Sequence, residues 1–142
     1  MSLLLETILA EWDQAGRPGS VSNPRVLEYL KTVGLGSDDE TSWCSAFLYW
    51  ATGKAGINDR PARSKASARS WLTVGQAVTE PKTGDIVIYW RESITSWKGH
   101  VGMFMRWSDD KQKIYTLGGN QTNRVSIALY DANKVLGFRR LR

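Results

Sequence analysis

The sequence predicts an α+β domain in which N-terminal helices pack on a C-terminal antiparallel sheet of about five strands. Two observations support this prediction. Up to about residue 75, apolar residues recur at the spacing of amphipathic helices, whereas from about residue 80 they form short runs typical of strands. The chain has 142 residues, a length that a single hydrophobic core can support. We therefore expect one domain over residues 1–142, with a helical half of about 1–75 and a sheet half of about 80–142.

Four helices are predicted in the first half. The first covers Leu5–Trp12, and the second begins at Asn23–Pro24, where asparagine can cap a helix and proline fits its first turn. The third, over Trp43–Ala51, is apolar on nearly all sides, which predicts a largely buried helix. A short fourth helix is expected around Ala66–Leu72.

The predicted strands follow a turn at Pro81–Asp85. They cover Ile86–Trp90, His100–Trp107, Lys113–Leu117, Val125–Tyr130 and Val135–Leu141. The second and third of these form a hairpin, and one register of that hairpin keeps its apolar side chains on one face. The apolar pairs in this register are Met103 with Leu117 and Met105 with Tyr115. The same register sets His100 opposite Asn120.

Composition excludes several classes of protein. A single cysteine excludes an internal disulfide framework, and a single histidine excludes a histidine-rich metal site. No apolar run approaches the length of a membrane span. The first residues lack a basic region and include Glu6 and Glu11, so we expect no secretory signal and synthesis in the cytoplasm.

The net charge of +5 predicts attraction to polyanions. An anionic bacterial envelope is one candidate, and basic side chains such as those of Arg139–Arg142 could contact it. Nucleic acid is another, but no nucleic-acid-binding motif accompanies the charge, so no nucleic-acid partner is expected. A solvated basic face that serves only solubility is the simplest explanation of the charge.

Cys44 and His100 are the first two candidates for chemistry. Cys44 falls in the first turn of a predicted helix, where free backbone N–H groups and the positive end of the helix dipole favour a thiolate. The same N–H groups could hold a developing oxyanion. His100 begins a predicted strand between Gly99 and Gly102, and such an imidazole could take the proton of a thiol and return it to a leaving amine.

A third polar residue could orient the imidazole. The hairpin register places the Asn120 amide beside His100, which is the orienting position of a catalytic triad. Gln121 would then point away and act in substrate binding or at the oxyanion. A distorted turn after Gly118–Gly119 would let the longer glutamine reach the histidine instead.

These residues lie in motifs that resemble a known family. The motifs are Trp43–Phe47, Gly84–Val87, Gly99–Gly102 and Gly118–Gln121. Together they resemble the NlpC-type and CHAP cysteine amidohydrolases, which have a papain-like fold and cleave peptidoglycan. The chain is most similar to a small phage-associated, endolysin-like branch, on the evidence of Asn23–Pro24, Asp39–Glu40 and Ala68–Trp71. The resemblance implies that Cys44 is the nucleophile, His100 the general base and acid, and Asn120 the orienting residue.

The resemblance also implies a substrate and a setting. We expect a peptidoglycan amide bond to be cut through a thioester, by an N-acetylmuramoyl-L-alanine amidase or a stem-peptide endopeptidase. Trp43 and Gln121 are expected to contact the substrate. The alternative is a catalytically silent module that binds cell wall or nucleic acid on the same fold. We expect the protein to act in the periplasm or cell wall. It would reach this site as a phage or prophage endolysin released by a holin, or as an effector delivered by a secretion system.

No metal or other cofactor is expected, and the domain is expected to be a monomer. The acidic segment Asp38–Glu40 stands where CHAP enzymes often carry a calcium loop. Its three adjacent carboxylates lack the alternating spacing that surrounds a calcium ion. Interaction of these carboxylates with the following helix N-terminus is the simpler interpretation.

Overall fold

Three α-helices and a 3₁₀ helix precede a six-stranded antiparallel sheet in the computed structural model, which describes residues 2–15, 23–35 and 42–142. The helices are α1 (Leu3–Leu9), α2 (Pro24–Lys31) and α3 (Cys44–Lys54), and the 3₁₀ helix spans Ala68–Thr73. The strands are β1 (Gln76–Val78), β2 (Ile86–Trp90), β3 (Gly99–Trp107), β4 (Lys113–Gln121), β5 (Arg124–Asp131) and β6 (Val135–Arg140). The predicted α+β class is confirmed. Within the described ranges, no helix is long and apolar enough to cross a membrane.

The second helix begins where the sequence predicts. The Asn23 side chain accepts a hydrogen bond from the Arg25 backbone N–H at 2.9 Å, and Pro24 occupies the first helical position. The side-chain oxygen thus satisfies one of the N–H groups that a helix N-terminus leaves without an intrahelical partner.

The six strands lie in the order β1-β6-β2-β3-β4-β5. The sequence predicts only five because β1 is three residues long and pairs with β6 at the edge of the sheet. A three-residue strand is too short to produce a readable alternation of apolar and polar residues.

Both faces of the sheet are apolar. Ile86 and Ile88 of β2 point toward the helices, and together with α1, α2 and α3 they form the main core. The alternate residues Val87 and Tyr89 form a smaller cluster on the other face. This alternation explains why β2 is a continuous apolar run rather than a pattern of period two.

The β3–β4 hairpin follows the predicted register only in part. Met103 pairs with Leu117 as predicted, but an irregularity between Phe104 and Arg106 sets Arg106, rather than Met105, opposite Tyr115. Near the other end of β4, its pairing with β5 shifts between Gly118 and Gln121. Such shifts change which side chains point to a given face.

Candidate active site

Cys44 is the first residue of α3 and is almost fully buried. The first intrahelical bond at this end runs from the Phe47 N–H to the Trp43 carbonyl at 2.9 Å. The backbone N–H groups of the three intervening residues, Cys44 included, therefore have no partner within the helix. The prediction that the cysteine lies in the first turn of a helix is confirmed.

The residue after the cysteine anchors this helix end. The Ser45 hydroxyl donates to the Lys65 carbonyl at 2.6 Å and accepts from the Trp71 indole N–H at 2.9 Å. Trp71 is fully buried, so its indole forms part of the core and does not flank a groove. These bonds fix the start of α3, and with it the thiol, relative to the segment that leads into the 3₁₀ helix.

His100, the second residue of β3, is completely buried. The ring of Tyr130 stacks on its imidazole, with centroids 4.7 Å apart and planes 16° from parallel. His100 also pairs with Tyr89 of β2 in the strand ladder. The imidazole is therefore held between neighbouring strands and is shielded from solvent.

The third residue of the site is Gln121, whose Oε1 lies 2.9 Å from His100 Nε2. The amide Nε2 of Gln121 donates to the backbone carbonyls of Thr116, at 2.9 Å, and Ser126, at 2.6 Å. Both amide hydrogens are thus used, and the oxygen must face the ring. A carbonyl oxygen can only accept, so His100 Nε2 carries a hydrogen, and in the neutral ring Nδ1 keeps its lone pair.

The prediction that Asn120 orients His100 is wrong. Asn120 adopts a left-handed backbone conformation, with φ of 58°, and its side-chain N–H donates to the Ser42 hydroxyl at 3.2 Å. A left-handed residue inside a strand interrupts the alternation of side chains. The next residue, Gln121, therefore occupies the position beside the histidine that regular pairing would give to Asn120. This is the distorted turn that the sequence left open as the alternative.

Two glycines allow the strands of the hairpin to approach closely beside the histidine. A Cβ atom added to Gly118 would lie 2.9 Å from Gln121 Oε1, and one added to Gly102 would lie 2.6 Å from a Thr116 methyl carbon. Such distances are shorter than a van der Waals contact. Gly118 is therefore required by the amide that contacts His100, whereas Gly102 is required by the close approach of β4 at Thr116.

The environment of Cys44 favours its thiolate. Burial alone raises the pKa of this thiol. Other contacts outweigh burial and lower the pKa of Cys44 to about 7. They are the charge of His100, hydrogen bonds from His100 and from the Val101 backbone N–H, and the charge of Arg91. Thiolate formation near neutral pH is the property expected of a nucleophilic cysteine.

A cleft of about 280 Å³ opens onto the thiol. It is lined by Ser42, Cys44, Ala66, Ser67, Ala68, Arg91, Trp97, Lys98 and Gly99. Trp97 is 77% exposed, so its ring is accessible at the edge of this cleft. One wall of the cleft is the loop between β2 and β3, which carries Arg91, Trp97 and Lys98.

The loop wall is attached to the rest of the domain by Arg69. Its guanidinium donates to the backbone carbonyls of Lys98, Ile94 and Ser93 at 2.8, 2.7 and 2.9 Å. Sequence reasoning missed Arg69, Arg91 and Trp97 as parts of the site. Arg91 directly follows a buried strand, a position at which polar residues often face a site, whereas nothing in the sequence marks the contact between Arg69 and a loop more than twenty residues away.

Trp43 does not have the expected role. Its ring is fully buried, packs against Tyr29 and Phe47, and donates its indole N–H to Asn123 Oδ1 at 3.2 Å. The prediction that Trp43 contacts substrate is therefore wrong. Its place at the N-cap of an internal helix turns it inward, away from the cleft. Gln121, the other residue predicted to contact substrate, is 1% exposed and holds His100 instead.

Within residues 2–15, 23–35 and 42–142, no group of three or more His, Cys, Asp or Glu side chains is arranged to hold a metal ion. The acidic segment Asp38–Glu40 lies outside the described residues.

Comparison with known proteins agrees with this geometry. The family model described as "CHAP domain" matches residues 36–120, which is more than half of the chain. The chain belongs to the CHAP domain family. No curated protein matches the chain.

Among solved structures, the chain is similar to one described as "similar to lipoprotein, NLP/P60 family" from Staphylococcus aureus subsp. aureus Mu50. The TM-score is 0.54 at 18% sequence identity, and the match covers 98% of this chain and 40% of that one. At this identity the likeness concerns the fold, and it confirms the papain-like arrangement of helices and sheet. The chain spans less than half the length of that structure.

Proposed function

We propose that this domain hydrolyses an amide bond of peptidoglycan by cysteine nucleophilic catalysis, with Cys44 as nucleophile and His100 as general base and acid. Gln121 is the orienting residue. The single observation that most supports the proposal is the alignment of the buried Cys44, His100 and Gln121 at the end of an open cleft. A buried polar network of this kind is costly to maintain unless its groups are paired and used.

In the proposed acylation step, the Cys44 sulfur attacks the carbonyl carbon of the scissile amide. The thiol proton passes to His100 Nδ1, the ring nitrogen whose lone pair the Gln121 contact leaves available. His100 then protonates the leaving amine, the C–N bond breaks, and a thioester remains. In the deacylation step His100 activates a water molecule that hydrolyses the thioester and returns the thiol.

The free backbone N–H groups at the start of α3 would bind the negative oxygen that develops during both steps. The Cys44 N–H has no intrahelical partner, and it points along the positive end of the helix dipole. Preorganised donors of this kind stabilise an oxyanion more strongly in a site that excludes water.

The bond cut is one of two amides. An N-acetylmuramoyl-L-alanine amidase would hydrolyse the lactyl–alanine amide, and an endopeptidase would hydrolyse an amide within the stem peptide. We propose that the domain is a phage or prophage endolysin that acts in the periplasm or cell wall, as a monomer and without nucleic acid. Contact with an anionic envelope would depend on exposed cations other than Arg139 and Arg140. Arg139 donates to the Leu72 carbonyl, and Arg140 forms a bidentate pair with Asp85.

Mass spectrometry of fragments released from purified peptidoglycan tests this function and identifies the bond. A new muramic acid carboxyl group with a free alanine amine indicates the amidase, and shortened stem peptides indicate the endopeptidase. Cys44→Ala serves as the matched control, since it removes the sulfur from the same buried site. Absence of released fragments with the wild-type protein, or equal release by both proteins, would contradict the proposal.

A further inference from the structure

Arg91 occupies the cleft in a way that the proposed mechanism does not use. It follows directly after β2, and its guanidinium lies in the cleft wall beside the thiol. One guanidinium nitrogen, Nη2, is 3.5 Å from His100 Nδ1, the ring nitrogen that does not contact Gln121. The ring of Tyr130 covers the other side of this site by stacking on the histidine. The cation is therefore held at the reacting groups.

The cleft has an excess of positive charge. Its described lining contains two cations, Arg91 and Lys98, and no carboxylate. Lys98 already has a partner, because its ammonium lies 2.6 Å from Glu92. Arg91 forms no ion pair within 4.0 Å with any carboxylate in the described part of the chain. Arg91 is thus an exposed guanidinium at the mouth of a cleft, and it has no anionic partner. Such a group is suited to bind an anion from solution.

The chemistry of the step increases the need for an anion. When His100 accepts the thiol proton it becomes a cation, and the Arg91 guanidinium is already beside its Nδ1. Two like charges at this separation disfavour the protonated imidazole. After the thiolate has been consumed in the attack, an anionic group on the substrate would offset that repulsion.

We propose that Arg91 binds a free carboxylate of the substrate next to the scissile amide and thereby restricts cleavage to amides that carry such a neighbour. The inference rests on the proposed function and narrows its substrate class to peptides with a carboxylate close to the reacting carbonyl. A guanidinium suits this role because its planar fork matches a carboxylate with two parallel hydrogen bonds.

Two alkylating reagents test the site without requiring hydrolysis. In both iodoacetate and iodoacetamide, the sulfur forms a bond to the methylene carbon and iodide leaves. The two reagents differ only in that iodoacetate carries a carboxylate where iodoacetamide carries a neutral carboxamide. The ratio of their rates at Cys44 cancels the fraction of thiolate. Division by the same ratio for 2-mercaptoethanol, an uncharged thiol, cancels the difference in intrinsic reactivity of the two reagents. We expect this normalised ratio to exceed one by roughly tenfold or more, as a charged hydrogen bond gives, with saturation at high iodoacetate.

Three variants separate carboxylate binding from general attraction. Arg91→Gln should lower the normalised ratio by roughly tenfold or more, and Arg91→Lys should lower it less, because the charge remains but the fork is lost. Lys134→Gln is the matched control. It removes a cation that lies over the Trp90 ring, 5.2 Å from its centroid and outside the described cleft lining, and it should leave the ratio unchanged.

Each alternative outcome contradicts the inference. A wild-type ratio near that of 2-mercaptoethanol would mean that no carboxylate binds. An equal fall of both rates in Arg91→Gln would mean that Arg91 acts only on the thiolate. An equal effect of Lys134→Gln would indicate the overall positive field of the protein. Selective alkylation together with no fragment release from peptidoglycan would refute the proposed function while leaving the carboxylate site in place.

Discussion

Gln121 Oε1 accepts a hydrogen bond from His100 Nε2 at 2.9 Å, and this contact decides which nitrogen of the imidazole is free for chemistry. The histidine itself does not determine its tautomer. It follows from two backbone carbonyls, those of Thr116 and Ser126, which take both amide hydrogens of the glutamine and leave only its oxygen for the ring. The irregular end of β4 therefore fixes the tautomer in which His100 can act as a base.

Gln121→Ala should lower the turnover rate by about 10²-fold or more with little change in KM. The variant removes the group that fixes the base without removing a contact with the substrate, and a correctly placed general base contributes roughly 10²–10⁴-fold to a rate. Steady-state kinetics on a soluble peptidoglycan fragment measures both constants.

Asn120→Ala is the matched comparison for this experiment. It removes the adjacent amide, which bonds Ser42 rather than His100, and it should keep most of the turnover. A thermal melt of each variant checks that the loss in Gln121→Ala is not due to unfolding. A large turnover defect in the Asn120 variant beside a near-normal Gln121 variant would refute the assignment.

Gly118→Ala should reproduce part of the Gln121 defect from a position that contacts no reacting group. The added methyl group would lie 2.9 Å from Gln121 Oε1, and the glutamine cannot move away without breaking its bonds to two carbonyls. We expect turnover to fall about tenfold or more, since small misplacements of a catalytic group are costly. Gly56→Ala is the control for general destabilisation. Alanine is strained at its left-handed φ of 73°, but the added Cβ meets no atom within 4 Å, and Gly56 lies beyond the end of α3 opposite Cys44. An active Gly118→Ala enzyme would mean that the amide tolerates displacement.

The hairpin shows how far sequence reasoning could go toward this site. Matching apolar residues across two strands correctly paired Met103 with Leu117, because burial of one face constrains the register strongly. Extending that register to His100 and Asn120 failed. Beyond Gly118 the pattern contains no apolar residue to constrain it, and Asn120 adopts a left-handed conformation that asparagine tolerates better than most residues.

The cleft wall was beyond prediction for a different reason. Local patterns located Cys44 at a helix start and His100 at a strand start, because both positions follow from the spacing of residues nearby in sequence. The cleft instead depends on Arg69, which binds carbonyls of a distant loop. Trp43 is absent from the cleft because it packs between α2 and α3, against Tyr29 and Phe47. Contacts between separate segments leave no periodic signal in a single sequence.

Cys44→Ser should abolish peptidoglycan cleavage and leave the fold intact. The hydroxyl is close in size to the thiol, but it is far less nucleophilic where the environment is adjusted to a thiolate. Removal of a nucleophile typically costs several orders of magnitude in rate. Fragment release and circular dichroism, measured on the same preparation, test both parts. Retention of more than about a tenth of the activity would exclude the cysteine mechanism.

Alkylation of Cys44 by iodoacetamide should rise with pH through a midpoint near 7. The thiol is charged when deprotonated, so lowering its pKa to about 7 makes the thiolate the main form above that pH. The lowered pKa of the thiol also makes the free energy of unfolding larger at higher pH. Because an unfolded cysteine has a pKa near 8.5, the thiolate adds stability that is fully present above about pH 8.5 and is lost as the pH falls through about 7. A midpoint at or above 8.5 would show that the site does not favour the thiolate.

Arg69→Lys should weaken substrate binding more than it slows the chemical steps. The guanidinium of Arg69 donates to the carbonyls of Ser93, Ile94 and Lys98 with separate nitrogens, and it thereby holds the loop that forms one wall of the cleft. A lysine ammonium keeps the charge, but it cannot reach three carbonyls with the geometry of a planar fork.

The expected result for Arg69→Lys is a several-fold higher KM with a smaller change in turnover, because Cys44, His100 and Gln121 are held by other elements. Limited proteolysis should also cut the 91–98 loop faster in the variant, since loss of these bonds lowers the cost of local opening. Arg63→Lys is the control, an exposed arginine in the same region that lies outside the described cleft lining. If Arg69→Lys instead lowered turnover at unchanged KM, the loop would be part of the catalytic alignment rather than a binding wall.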